Sequence, residues 1–376
     1  MKALRIVAIL AVVVLTTILI FRRQHQSGNG NIAIIGAVLP LTGEVAAYGT
    51  DTRDGIDLAV EQANRSQNRL KFEVTYEDSK GDAKTAVTAL QSLLSLKRPI
   101  AVIGENTSSA TLAMVPIATA AKVPLISPSA SAPNLSGISP YFFRVFPSDT
   151  EEGTFISKAV AKHTPGASVV VIYVNNDYGF GLKNVFSQTA PANGLRVIGD
   201  FGYEKATSDF KPILTKIKDL KPNAIYLPSY YQDGSMIVKQ ARELGIEASL
   251  WGCTTHEDPK FLEVAGAAAE GFFYPISTGY DAKSTSNEVL EFMTGFKAQF
   301  NKEPGLLAAL GYDCARLIIS PSLKGEASSS NVKTFIESQK AYPGVSGLMS
   351  FDEKGDVHKP ISLKTVKSGQ FTDAKQ

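Results

Sequence analysis

From residue 32 onward, short apolar runs of strand type alternate with stretches whose apolar residues recur at helical spacing. That rhythm restricts the chain to parallel sheets covered by helices, because parallel neighbours can be joined only by a crossover. Residues 32–38 (IAIIGAV) form a buried-strand run, followed by a helical face of Ile56, Ala59, Val60 and Ala63. Residues 71–77 alternate as a strand, and Ala83, Ala86, Val87, Leu90, Leu93 and Leu94 then keep helical spacing behind Gly81-Asp82. A strand at 100–104, a helix at 109–121 and a strand at 123–127 complete a first unit. The pattern restarts after Pro147-Ser148-Asp149. A helix at 151–162 precedes strand 168–174 (SVVVIYV), and helix 181–193, strand 196–203, helix 210–221, strand 224–227, helix 234–245 and strand 249–252 follow. Helices at 287–300, 306–320 and 331–339 and strands at 347–351 and 361–366 close the chain. Thirty glycines and nineteen prolines suit the many short connections this requires. The expected fold is α/β: two doubly wound parallel-sheet lobes.

A chain of 376 residues with 44% hydrophobic and 20% charged residues has room for two such domains. The N-terminus stands apart from them. Lys2 and Arg5 precede an apolar stretch at 6–21, broken by Thr16 and Thr17 and closed by Arg22 and Arg23. This is an export signal or a membrane anchor, and the absence of an A-x-A-like site favours the uncleaved anchor over a cleaved signal. No cysteine follows, which excludes an acylated N-terminal cysteine. Residues 24–31 (QHQSGNGN) form a polar tether. The remainder is expected in the periplasm or another extracytoplasmic space, with membrane contact through this segment.

Several chemistries are excluded early. A net charge of +2, from 38 basic and 36 acidic residues without long single-sign runs, gives no nucleic-acid footprint. Cys253 and Cys314 lack both C-x-x-C spacing and the partners of a zinc site, leaving isolated thiols or one disulfide. His25, His163, His256 and His358 are scattered, and His256-Glu257-Asp258 reads as a solvated loop. No G-x-S-x-G, Walker loop or G-x-G-x-x-G occurs. The chain is expected to be no enzyme and to hold no metal or cofactor.

Ligands of open α/β sheets bind beyond the carboxyl ends of the strands. In the first lobe those ends carry Ala47-Tyr48-Gly49, Thr107-Ser108-Ser109 leading into a helix, and the 127–133 run SPSASAP with Ser129 and Ser131. Hydroxyls beside a helix N-terminus make a site for a carboxylate. One such serine alone would do no more than cap its helix; two hydroxyl-rich loops at adjacent strand ends favour a ligand. In the second lobe the ends carry Asn176-Asp177-Tyr178 and Ser229-Tyr230, whose rings suit a wall against an apolar ligand body.

These stretches, in order, resemble the branched-chain amino-acid-binding proteins of bacterial ABC importers, the leucine/isoleucine/valine-binding type. The likeness runs from about Ile32 to the Asp352-Glu353-Lys354-Gly355-Asp356 turn. It rests on GAVLPLTG at 36–43, Tyr48-Gly49, Asp54-Gly55, VIG at 102–104 with Thr107-Ser108-Ser109, ISPSASAP at 126–133, Asp177-Tyr178-Gly179 and Gly311-Tyr312-Asp313. The resemblance implies a type I periplasmic binding protein, its lobes joined by a three-strand hinge. The first lobe would hold 31–146 and 278–345, the second 147–277 and 346–376, with 1–30 as signal or anchor plus tether. It implies capture of a small polar ligand, an amino acid, amide or carboxylate, for delivery to ABC permease membrane subunits. Ser108 and Ser131 would hold the carboxylate through their side chains, with Ser129 contributing backbone and Ser109 beside them as a further ligand-binding candidate, and Tyr48, Tyr178 and Tyr230 would line the cleft. In amino-acid binders an acid just after strand 249–252 pairs with the α-ammonium; that position is Thr254, with Glu257 and Asp258 nearby, and a frequent aromatic falls near Leu307. A ligand-sensing module of the same fold and a small-amide hydrolase are the alternative readings.

Overall fold

The computed structural model describes residues 31–66, 69–277 and 280–374. The apolar N-terminal segment and its tether lie outside the described residues. Strands β1 (Asn31–Leu39), β2 (Leu70–Asp78), β3 (Ala101–Gly104), β4 (Leu125–Ser127) and β5 (Phe142–Arg144) form a first sheet in the order β2-β1-β3-β4-β5. Every pair in it is parallel. Helices α1 (Ala46–Arg65), α2 (Ala83–Leu96) and α3 (Ser108–Ala121) make its crossovers.

The second sheet repeats the plan. Helix α4 (Asp149–His163) leads into β6 (Ser168–Val174), α5 (Asp177–Thr189), β7 (Arg196–Tyr203), α6 (Lys211–Leu220), β8 (Ala224–Tyr226), α7 (Tyr231–Glu243), β9 (Ser249–Trp251), α8 (Pro259–Ala265) and β10 (Phe273–Ser277). All seven residues of β6 are buried, as a central strand covered on both faces requires. The chain then returns to the first lobe through α9 (Asn287–Phe300), α10 (Leu306–Lys324), α11 (Ser329–Ser338) and the hairpin β11 (Tyr342–Gly344) with β12 (Gly347–Met349). Strands β13 (Ile361–Lys367) and β14 (Gln370–Asp373) finally add antiparallel to the second sheet, giving β14-β13-β10-β9-β8-β6-β7. The chain therefore passes between the lobes three times.

Helices α1 and α10 pack at close range because both carry glycine at the crossing. A Cβ on Gly55 would run into the carbonyl oxygen of Ala308, and one on Gly311 into that of Thr52. The expected return to the second lobe at residue 346 comes later. Met349, Phe351 and Val357 are buried in the first-lobe core, and Asp313 of α10 accepts from the Val345 and Ser346 amides, at 2.9 and 2.8 Å, to hold the hairpin there. Near the crossings Arg144 is fully buried and its Nε donates to Asp356 at 2.7 Å.

The pattern left out β5, β10, β11 and β14, and for two of them the reason is plain. β5 is three residues long and ends on a charged residue at a buried position, and β10 contains Pro275, which ordinarily argues against a strand. Helix α5 starts at Asp177 rather than 181 because the Asn176 side chain caps it, accepting from the Gly179 amide at 2.9 Å. Cys253 lies in the second-lobe core and Cys314 in the first; both are free thiols.

Candidate functional site

In each parallel sheet the chain order reverses beside the first strand: between β1 and β3 in one lobe, between β6 and β8 in the other. Such switch points leave a crevice at the carboxyl ends of the strands. Helix α3 starts beyond β3 and α1 beyond β1; α5 starts beyond β6 and α7 beyond β8. The two crevices face each other across a shared cavity of about 790 Å³, within the range of small-molecule sites.

Seven of the eight expected residues line it: Tyr48, Ser108, Ser129, Ser131, Tyr178, Tyr230 and Thr254. Ser108 opens α3, and its Oγ accepts from the amides of Ser131 and Ala132 at 3.2 and 3.1 Å. One serine thereby fixes the neighbouring loop and keeps its own hydrogen to donate. Ser129 Oγ donates to the Asn106 carbonyl and accepts from Asn106 Nδ2, both at 3.1 Å. Ser109 differs. It lies outside the cavity lining, donating through Oγ to Asp177 at 2.6 Å and accepting from the Asp177 amide at 3.2 Å. It is a contact between the lobes, because adjacent residues on a helix point about 100° apart.

The tyrosines close the opposite wall. Tyr178 and Tyr230 stack with ring centroids 5.3 Å apart, and Tyr48 meets the Tyr230 ring edge-on at 6.3 Å. Tyr48 belongs to the first lobe but donates to the Thr255 carbonyl of the second at 3.2 Å. Tyr178 reaches Thr255 Oγ1 at 3.2 Å. Burial raises the phenol pKa of all three, so their hydroxyls act as neutral donors and acceptors. Phe146, Ile276, Leu306, Leu307 and Leu310 supply an apolar side.

Sequence reasoning missed the acids. Glu152, from the first turn of α4, lines the cavity. Its carboxylate accepts from Thr254 twice, from the amide at 3.2 Å and from Oγ1 at 2.6 Å. Burial pushes Glu152 up to about 7, against the lowering effect of those two bonds. Asp149, one turn earlier, is also buried and raised well above the carboxylate range, by burial and then by Glu152, against a lowering bond from the Ser131 side chain, and among the described residues its Oδ2 has no hydrogen-bond partner. Acids in a first helical turn are explained by the helix dipole alone. The sequence therefore held no signal separating inward Glu152 from its outward neighbour Glu151. The loop 256–258 is likewise not solvated: His256 is fully buried against Ser229, Nε2 to Oγ 3.1 Å, while Glu257 and Asp258 line the cavity. Among the described residues no group of three or more His, Cys, Asp or Glu could hold a metal ion.

Residues 34–370 match the family model described as periplasmic binding protein. The Leucine-, isoleucine-, valine-, threonine-, and alanine-binding protein of Pseudomonas aeruginosa is 26% identical over 330 residues, covering 87% of this chain and 86% of that protein. Among solved structures, the branched-chain amino acid transporter substrate binding protein LivJ of Streptococcus pneumoniae, in complex with isoleucine, is 30% identical with a TM-score of 0.82, over 91% of this chain and 98% of that one. The leucine binding protein LivK of Thermotoga maritima is 28% identical with a TM-score of 0.83, over the same shares.

Proposed function

This chain belongs to the periplasmic binding protein family, and from that premise we propose that it is the extracytoplasmic substrate-binding protein of an ABC importer for a small amino acid or related carboxylate. Membership of the family supports an extracytoplasmic location and a substrate-binding role. Partnership with permease subunits and attachment through the N-terminal segment complete the proposal. The observation that carries it is one cavity walled by the switch points of both lobes, with Tyr48–Thr255 and Ser109–Asp177 bonds spanning the gap. A ligand that touches both walls stabilises the closed form by its differential affinity, and a permease can then recognise that form; hinge closure in periplasmic binding proteins is itself a standard example of this motion.

The first-lobe wall supports a carboxylate. The Ser108 hydroxyl stands at the N-terminus of α3 with Ser131 beside it on the cavity wall, the Ser131 side chain also bonding Asp149, and no lysine or arginine is needed there. Among the described residues, the groups bonded to Ser108 Oγ are two amides rather than a base, which supports binding over nucleophilic chemistry. The test is a thermal-shift and calorimetry screen of the full chain against L-leucine, L-isoleucine, L-valine, simple carboxylates and their amides. A selective ligand at 100 times its Kd stabilises by about 2.7 kcal/mol. No shift with any of them at millimolar concentration would overturn the proposal.

A further inference from the structure

Among the described residues, the buried carboxylates Asp149 and Glu152 on α4 make no ion pair, and the Coulombic pull on Asp149 comes from Arg144. Asp149 and Glu152 sit one turn apart on one face, and the chain has folded Glu152 into a cavity wall. The groups around them are the Ser131 hydroxyl, bonded to Asp149, Thr254, bonded to Glu152, and Tyr178, Tyr226, Tyr230 and Cys253, all neutral at pH 7. Among the described residues, one cation acts on Asp149 and another lines the same cavity. Arg144, from β5, is tied to Asp356, the Ala132 carbonyl and Ser136. Lys364, from β13, is paired with Glu257. Two carboxylates cannot both stay ionised in such surroundings without a cation or a proton between them. Thr254 donates two hydrogen bonds to Glu152 and so holds its carboxyl on the cavity wall.

We propose that Glu152, backed by Asp149, is the residue that selects a ligand's ammonium group in this chain, and that the empty pair holds a proton which the arriving ammonium displaces to solvent. The inference rests on the carboxylate-binding reading and adds the amine. It makes capture proton-linked. An amine-bearing ligand binds more weakly below the exchange point, by about tenfold per pH unit, and reaches a plateau above it. Burial raises both carboxyls above the ordinary carboxylate range, which moves that point toward neutral pH. A ligand of the same shape without the amine gains nothing from Glu152 and leaves the proton in place.

The experiment compares L-leucine with 4-methylpentanoate, which is leucine without its amine, on the full chain. Calorimetry at pH 6 to 8, in buffers of different ionisation enthalpy, counts protons released. Proton release with leucine but not 4-methylpentanoate is the expected result. Glu152→Gln should then weaken leucine roughly 10- to 150-fold, the loss of one charge-assisted contact, flatten its pH profile, and leave 4-methylpentanoate within about threefold. Leucine binding without proton release, or equal weakening of both ligands by Glu152→Gln, would overturn the proposal. So would tight 4-methylpentanoate binding with no leucine binding, although the carboxylate reading would survive. Carboxyl-carbon NMR of the ligand-free protein decides the proton independently: a Glu152 or Asp149 carboxyl that stays protonated at pH 6 and is lost in the variant supports it, and two ionised carboxylates at that pH refute it. If neither ligand binds, the broader reading is what fails, and the NMR result still judges the pair.

Discussion

Replacing Ser108 by alanine removes one oxygen that does two jobs, and the two losses can be measured separately. The first is structural. Ser108 Oγ is the acceptor for the amides of Ser131 and Ala132, and Ser108 is 2% exposed. An unsatisfied buried donor costs about 1–3 kcal/mol. Water entering from the cavity can serve part of that need, so about 2 kcal/mol in total is expected. At roughly 2–4 °C per kcal/mol for lobes of this size, the empty protein should melt about 4–8 °C lower. The second loss is functional. Among the described residues the Ser108 hydroxyl donates to no acceptor, which leaves its hydrogen for a ligand carboxylate, a contact worth about 1.5–3 kcal/mol. Affinity should therefore fall by roughly 10- to 150-fold, measured by calorimetry with the best ligand of the screen. Ser109→Ala is the control: it breaks the contact to Asp177 but leaves the cavity wall intact. It should change affinity only through closure, by less than tenfold. Unchanged affinity in Ser108→Ala, or a larger loss in Ser109→Ala, would refute the assignment of the carboxylate wall.

Other consequences follow from the same packing. Gly55→Ala and Gly311→Ala should each destabilise the first lobe by at least about 2 kcal/mol, read by urea denaturation, because each new methyl meets a backbone carbonyl rather than a flexible side chain. Asp356→Asn leaves the buried Arg144 guanidinium without its anion, and a loss of about 3–5 kcal/mol is expected, whereas conversion of both residues to apolar ones should recover part of it. His358 stands between Glu151 and Asp352, and its hydrogen bond to Glu151 leads the effects that raise its pKa. A raised folded-state value means that its contribution to stability is fully present below the unfolded value of about 6.5 and disappears as pH climbs through the folded one. His358→Gln should remove that part of the pH dependence of melting.

The alternation from residue 32 and the fully apolar 168–174 run were enough to fix two parallel, doubly wound sheets, because strand-crossover-strand chemistry admits few other packings. The hydroxyls and tyrosines at strand ends were legible for a related reason: the ends of parallel strands beside a switch point are where a crevice must form, and local order alone puts Ser108, Ser131, Tyr178 and Tyr230 there. Which neighbour turns inward was not legible. Ser108 and Ser109 are equivalent as letters, and only the phase of α3 against the sheet sends one to the cavity and the other to Asp177. Glu151 and Glu152 divide in the same way on α4. Contacts between residues far apart in sequence, such as Glu152 with Thr254, Arg144 with Asp356, and Asp313 with the 345–346 amides that keep the last hairpin in the first lobe, depend on how whole elements pack. Periodicity reports the face that an element buries, and tertiary packing alone decides what that face meets.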